Sequence, residues 1–138
     1  IFRLVKFRTM SVGADARWPK KNDPRVTKVG KFLRASRLDE LPQFFNVLKG
    51  DMSVVGPRPD LVNFAKVLEN NILYYNIRYL IKPGLSGWAQ VHQFAPASIK
   101  ETQKRLTYDI FYIKNRSLIL DLAIILKTIK IFVSRMGK

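Results

Sequence analysis

The chain has 138 residues, 47% of them hydrophobic and 12% aromatic, which is enough for a core and excludes a disordered tail. It has no cysteine, so disulfides and thiolate metal sites are excluded and a reducing compartment fits. Its 25 lysines and arginines against 10 acidic residues leave a net charge of +15, which calls for a polyanionic partner: nucleic acid, an anionic membrane surface or a phosphorylated substrate.

The chain opens on Ile1 inside an alternating stretch and reads as a piece of a longer protein, with no signal peptide. Phe2, Leu4 and Phe7 among Arg3, Lys6 and Arg8 predict a short strand or half of a hairpin. Residues 11–24 are polar and rich in breakers, a loop. Val29, Phe32 and Leu33 then recur at helical spacing opposite Lys28, Lys31 and Arg34. Leu41, Phe44, Phe45 and Leu48 repeat at i, i+3, i+4 and i+7, with Gly50 as a stop. Starting that helix at Ser36 would put Pro42 deep inside it, at about 3 kcal/mol or more. Starting at Asp39 puts Pro42 in the first turn, so Asp39 and Glu40 are placed at a helix N-terminus.

Leu61, Phe64, Ala65 and Leu68 begin a further helix that runs toward Leu80. Residues 82–87, Lys-Pro-Gly-Leu-Ser-Gly, form a turn-rich connector. Leu106, Ile110 and Ile113 mark a helix ending near Asn115, and Ser117 caps a last apolar one. Asp121, Lys127 and Lys130 interrupt that helix, which falls short of the roughly 20 apolar residues of a membrane span. Its apolar face, flanked by Lys127, Lys130 and Arg135, either packs into the core or lies in a membrane interface. The expected fold is α+β, mainly α: one domain over residues 1–138, made of amphipathic helices with a small β element near the N-terminus.

A carboxylate at a helix N-terminus meets free N–H groups and the positive end of the dipole, which stabilise its ionised form. Such an aspartate is usually a cap; the sharper alternative is a nucleophile or Mg²⁺ ligand. Arg58 stands between Pro57 and Pro59, which fix two φ angles and aim its fork of donors as phosphate recognition requires. A Pro-stiffened loop with a solvated arginine is the plainer alternative. Asp51, after Gly50, reads as a turn residue or a further metal-side carboxylate. With Arg34 and Arg37 also close in sequence, the pattern makes a phosphoryl-type site plausible, since cations offset the repulsion between a carboxylate and a phosphate.

These motifs resemble those of the bacterial sugar transferases, the monotopic polyprenyl-phosphate phosphoglycosyl transferases. The resemblance runs through Lys6-Phe7-Arg8-Thr9-Met10, residues 23–30, Leu38-Asp39-Glu40-Leu41-Pro42-Gln43 and residues 46–59. It resumes at residues 82–91, ending in Trp88-Ala89-Gln90-Val91, and closes with Asp109, Tyr112 and residues 117–126. It implies a membrane-associated, Mg²⁺-dependent catalytic domain that moves a phospho-sugar from a nucleoside diphosphate sugar, commonly a UDP-sugar, to polyprenyl phosphate. Asp39 would attack the β-phosphorus to give a covalent phospho-sugar, and Glu40 would assist as a base or at the metal, which the two carboxylates share. Arg58 and Arg34 would hold phosphate, with Lys6, Arg8, Thr9 and Gln90 on the substrate side. The resemblance also implies an anionic membrane surface as partner, at the cytoplasmic face of a bacterial inner membrane. The family's re-entrant helix, upstream of the Lys-Phe-Arg-Thr-Met motif, is missing from this chain. Such enzymes initiate polysaccharide or glycoconjugate assembly.

One departure is His92-Gln93-Phe94, where the family carries Asn-Gly-Arg. His92, the only histidine, is expected to be a loop residue without a metal partner. The rival from another class is a nucleic-acid-binding module, suggested by a pI near 10.4 and by residues 74–79, Tyr-Tyr-Asn-Ile-Arg-Tyr. No nucleic-acid motif accompanies them, and no nucleic-acid partner is expected. An inactive structural relative is the third reading, against which the intact dyad speaks. No motif encodes the sugar or an oligomeric state.

Overall fold

The computed structural model describes residues 1–14, 23–92, 96 and 98–136. Thr27 accepts the Gly30 amide on its side chain and caps α1 (Lys28–Ala35). The helix ends ahead of Arg37, whose φ of 53° lies in the left-handed region. One 3-10 turn, Leu38–Glu40, precedes α2 (Gln43–Leu48), which Gly50 terminates at φ 81°. The expected helix start at Asp39 is therefore corrected: the dyad occupies a separate turn. Pro42 is the cause. It has no N–H to donate to Leu38, and the chain crosses it on i→i+3 bonds, Leu41 to Leu38 at 3.2 Å and Phe45 to Pro42 at 3.1 Å.

After α2 come β1 (Ser53–Val55), α3 (Val62–Asn71), a 3-10 segment (Tyr75–Leu80), β2 (Gly84–Ser86), α4 (Trp88–His92), α5 (Ile99–Asn115) and α6 (Leu118–Met136). The architecture is α+β, mainly α. β1 and β2 pair in parallel, Ser53 opposite Gly84 and Val55 opposite Ser86. The connector expected at residues 82–87 is thus a strand. Its glycines serve close approach: a Cβ on Gly84 would lie 2.0 Å from the Gly56 nitrogen. Gly84→Ala is expected to destabilise the fold by about 3 kcal/mol in urea unfolding. A neutral result would mean that the strands can part without loss.

The alternating segment at residues 2–7 makes no ladder. Its backbone groups bond elsewhere instead: Val5 N donates to Asn46 Oδ1 at 3.1 Å, Asn46 Nδ2 donates to the Arg3 carbonyl at 2.9 Å, and Phe7 N donates to the Asp39 carbonyl at 3.0 Å. The β pairing nearest the N-terminus is the antiparallel bridge between Met10 and Val26. The helix expected to run toward Leu80 breaks after Asn71, where Ile72 is extended and Tyr74 takes a φ of 60°.

Two apolar clusters form the core, Val55, Val91, Tyr112 and Ile124 in one and Leu68, Ile72, Tyr75 and Leu106 in the other. The buried face of α5 is half polar. It carries Thr102, Arg105, Leu106, Asp109 and Tyr112, while Ile110 and Ile113, which marked the helix in the sequence, are half-buried. The Ser117 hydroxyl accepts the Leu120 amide at 3.2 Å, capping α6 as expected. α6 buries Ile124 completely, yet leaves Leu118, Ile119, Leu122 and Leu126 exposed. Among the described residues no helix is long and apolar enough to cross a membrane.

Candidate active site

Asp39 is 8% exposed, and its carbonyl accepts the Phe7 amide at 3.0 Å, which brings Lys6 alongside. Burial, then the adjacent Glu40, push the Asp39 carboxyl above its ordinary value; Lys6 and Arg34 oppose this without cancelling it. Folding disfavours ionised Asp39, so its contribution to stability falls as pH rises from 3.8 through the raised value. Removing Lys6 as Lys6→Gln should move the Asp39 carboxyl still higher in an NMR titration. An unchanged titration would place Lys6 too far away to matter.

Arg34 Nε donates to Thr9 Oγ1 at 2.8 Å. Thr9 is itself buried, because the chain crosses the first turn of α1 there: the Thr9 carbonyl accepts the Thr27 amide at 3.1 Å. A Cβ on Gly30 would sit 2.0 Å from that carbonyl, so only glycine permits the crossing. Thr9 therefore fixes the direction of Arg34, which lies close enough to Asp39 to bias its ionisation.

Glu40 and Arg58 hold each other fork to fork, Arg58 Nη2 to Oε1 at 2.5 Å and Nη1 to Oε2 at 3.4 Å. Arg37 adds a looser ion pair at 3.7 Å. Burial pushes Glu40 up, but Arg58 chiefly, with Arg37 and Lys6, outweighs it and holds the carboxyl below its usual range. The Arg58 loop is seated on the sheet: Gly56 N donates to Ser86 O at 2.8 Å and Gly84 N to Pro57 O at 2.9 Å. The Pro-clamped arginine thus faces the dyad across 18 residues of sequence.

The other expected site residues divide. Arg8 is exposed and has no hydrogen bond or ion pair among the described residues. Gln90 lies on α4 at the foot of the Arg58 loop, where its amide oxygen would meet a Cβ on Gly87. Both of its amide atoms are buried without a partner among the described residues. Asp51 accepts from Asn46 Nδ2 at 3.3 Å, the turn role. His92 ends α4 rather than lying in a loop. Its Nδ1 donates to Trp88 O at 2.9 Å, and its Nε2 accepts from Lys127 Nζ at 2.6 Å. Gln93 and Phe94 lie outside the described residues.

No group of three His, Cys, Asp or Glu residues is poised for a metal among the described residues. The two dyad carboxylates suit Mg²⁺ in its usual protein setting, where one or two carboxylates share the ion with substrate phosphates and water. Sequence reasoning missed two features. Asn46 clamps the segment carrying Lys6. Behind the Arg58 loop, buried Tyr75, Arg78, Arg105 and Asp109 form a polar cluster with half-buried Asp60. The i,i+4 pair Arg105–Asp109 and the i,i+3 pair Tyr75–Arg78 were the available signals. Burial of Tyr75 and Arg78 also removes two of the side chains that suggested base stacking.

A family model described as bacterial sugar transferase matches residues 1–135. The chain belongs to the bacterial sugar transferase family. It is 45% identical to a UDP-N-acetylgalactosamine-undecaprenyl-phosphate N-acetylgalactosaminephosphotransferase of Aeromonas hydrophila, over 99% of this chain and 33% of the relative. It is 46% identical to a UDP-glucose:undecaprenyl-phosphate glucose-1-phosphate transferase of Xanthomonas campestris pv. campestris, over 92% of this chain and 28% of the relative. An undecaprenyl-phosphate galactose phosphotransferase of Salmonella typhimurium is 44% identical, over 99% of this chain and 31% of the relative. The chain spans about a third or less of these curated relatives. In this bacterial sugar transferase chain, the separate Lys-Phe-Arg-Thr, Asp-Glu and Pro-Arg-Pro motifs meet around one buried carboxylate.

Proposed function

We propose that this chain is the catalytic part of a phosphoglycosyl transferase that moves a sugar phosphate from a UDP-sugar to polyprenyl phosphate. One observation carries the reading: buried Asp39 lies beside Lys6 and Arg34 and next to the Glu40–Arg58 pair. The relatives' names, each a transferase acting on undecaprenyl phosphate, support it.

In this reading an Asp39 carboxylate oxygen attacks the β-phosphorus of the UDP-sugar. The bond from that phosphorus to the bridging oxygen breaks, and UMP leaves with the electron pair. The acyl phosphate on Asp39 then meets an oxygen of the lipid phosphate, which bonds to the same phosphorus and returns Asp39 as a carboxylate. Lys6 and Arg34 favour the ionised nucleophile against its burial. Arg58, aimed by its prolines and steadied by Glu40, receives phosphate charge. Thr9 orients Arg34, while Arg8 and Gln90 are substrate-side contacts. Asp39 and Glu40 are the residues that would hold Mg²⁺, whose chemistry here is to neutralise diphosphate charge.

The proposed place is the cytoplasmic face of a bacterial inner membrane, and the proposed task is to start glycan assembly on the lipid. The charge of +15 suits an anionic leaflet, where each Lys or Arg near the surface contributes about 1 kcal/mol. The full-length protein, given Mg²⁺, polyprenyl phosphate and a panel of UDP-sugars, tests this. Release of UMP supports the reading and names the sugar. Release of UDP would mean ordinary glycosyl transfer and would remove the nucleophile role from Asp39. No release, with salt-sensitive nucleic-acid binding, would favour the rival module; no release and no such binding would favour an inactive relative.

A further inference from the structure

Pro57 and Pro59 have no N–H, so their loop can be anchored through its carbonyls and through Asp60. Pro57 O accepts from Gly84 N; Arg58 O accepts from Arg78 Nη2 at 2.6 Å. Arg78 is 3% exposed and uses all three guanidinium nitrogens. Its Nε donates to Asp109 Oδ2 at 2.7 Å, and its Nη1 donates to Asp60 and to the Tyr75 hydroxyl. Asp60, following Pro59, also accepts from the Tyr75 hydroxyl at 2.7 Å and from Arg105 Nη2 at 3.0 Å.

Arg78, Arg105 and Asp109 are buried together here, with Asp60 half-buried against both arginines. Desolvating each ion costs several kcal/mol, and apolar replacements of such clusters are often neutral or stabilising, so stability alone is a poor reason for this one. A second cost adjoins it. Tyr74, a bulky residue, takes a left-handed φ of 60° immediately before the segment that carries Tyr75 and Arg78. Both costs bear on one place. Holding Arg58 O fixes the plane of the Arg58–Pro59 peptide, and the residue before a proline is already restricted to extended backbone. With that plane held, the backbone from which the Arg58 side chain reaches Glu40 is restricted.

We infer that Arg78, braced by Asp109 and Asp60, is a positioning residue that sets the direction of the Arg58 guanidinium. The inference rests on the proposed role of Arg58 in holding phosphate. Arg78→Lys keeps the charge but loses the fixed fork that reaches four acceptors. UMP release by the full-length enzyme would be measured for Arg78→Lys, Arg58→Ala and the double variant, with a thermal midpoint for each. Arg78→Lys should lower kcat/KM by about 10- to 100-fold in the parent, as a misplaced binding group does. In the Arg58→Ala background it should change kcat/KM by less than about threefold, because its target is gone. Should Arg78→Lys not fold, Tyr75→Phe removes one hydroxyl of the brace and should show the same dependence on Arg58. Equal losses in both backgrounds would overturn the inference alone. An Arg58→Ala enzyme as active as the parent would overturn it together with the phosphate role of Arg58.

Discussion

The Asp39→Asn variant is expected to lose UMP release by on the order of 10³-fold or more while unfolding at or above the temperature of the parent. The first half follows from chemistry: an amide cannot attack phosphorus, and among the described residues the neighbouring carboxylates Glu40 and Asp60 are each held by a guanidinium partner. Glu40 is committed to Arg58, and Asp60 to Arg78 and Arg105. The second half follows from the direction of the Asp39 shift. Burial outweighs Lys6 and Arg34, so the fold disfavours the carboxylate at neutral pH, and a neutral amide of the same shape relieves that penalty. Mass spectrometry of the parent, quenched with UDP-sugar and no acceptor lipid, should find a phospho-sugar on the peptide carrying Asp39. Transfer by the variant within about tenfold of the parent would remove Asp39 as nucleophile. A collapse of its thermal midpoint would make the residue structural instead.

What the sequence made legible is what local physics governs. α2 stops at Gly50 because glycine takes the left-handed angle there, and α6 starts at Ser117 because a hydroxyl can satisfy a free amide. The dyad and the Pro-Arg-Pro clamp are each contiguous, so their chemistry could be read at once. Their pairing could not, since Glu40 and Arg58 meet through the β1–β2 sheet. That sheet was itself hidden. Its strands are three residues each, too short for alternation to register, and the glycines that permit close approach carry the signature of a turn. Alternation at residues 2–7 suggested a strand, but alternation does not name the partner, here the Asn46 side chain and the Asp39 carbonyl rather than a ladder. The helix α5 was legible to its end at Asn115, but its buried face was legible only in part, for a related reason. Periodicity weighs apolar residues, whereas Thr102, Arg105 and Asp109 are buried because polar partners meet them.

Arg58→Ala should separate stability from activity. The variant is expected to lose about 10²- to 10³-fold in kcat/KM, the scale for removing one charge-stabilising donor. It should also lose about 1–2 kcal/mol of stability at neutral pH, a figure discounted because the Arg58 side chain is 36% exposed. The stability loss should depend on pH in a definite direction. In the parent, Glu40 lies below its ordinary value of 4.5, so its contribution is complete above that value and fades as pH falls through the lowered one. Without Arg58, burial faces only Arg37 and Lys6, and Glu40 takes up its proton at higher pH. A protonated Glu40 has no need of the guanidinium. Urea unfolding should therefore find the gap between variant and parent wide at pH 7 and narrower near pH 4. Adding Glu40→Gln should recover part of the stability at neutral pH, because no buried carboxylate is left unpaired, and should recover none of the activity. A gap that does not change with pH would mean that the loss comes from packing of the loop. Activity returning with stability would mean that Arg58 serves the fold, and the phosphate would have to be held by Lys6 and Arg34 without it.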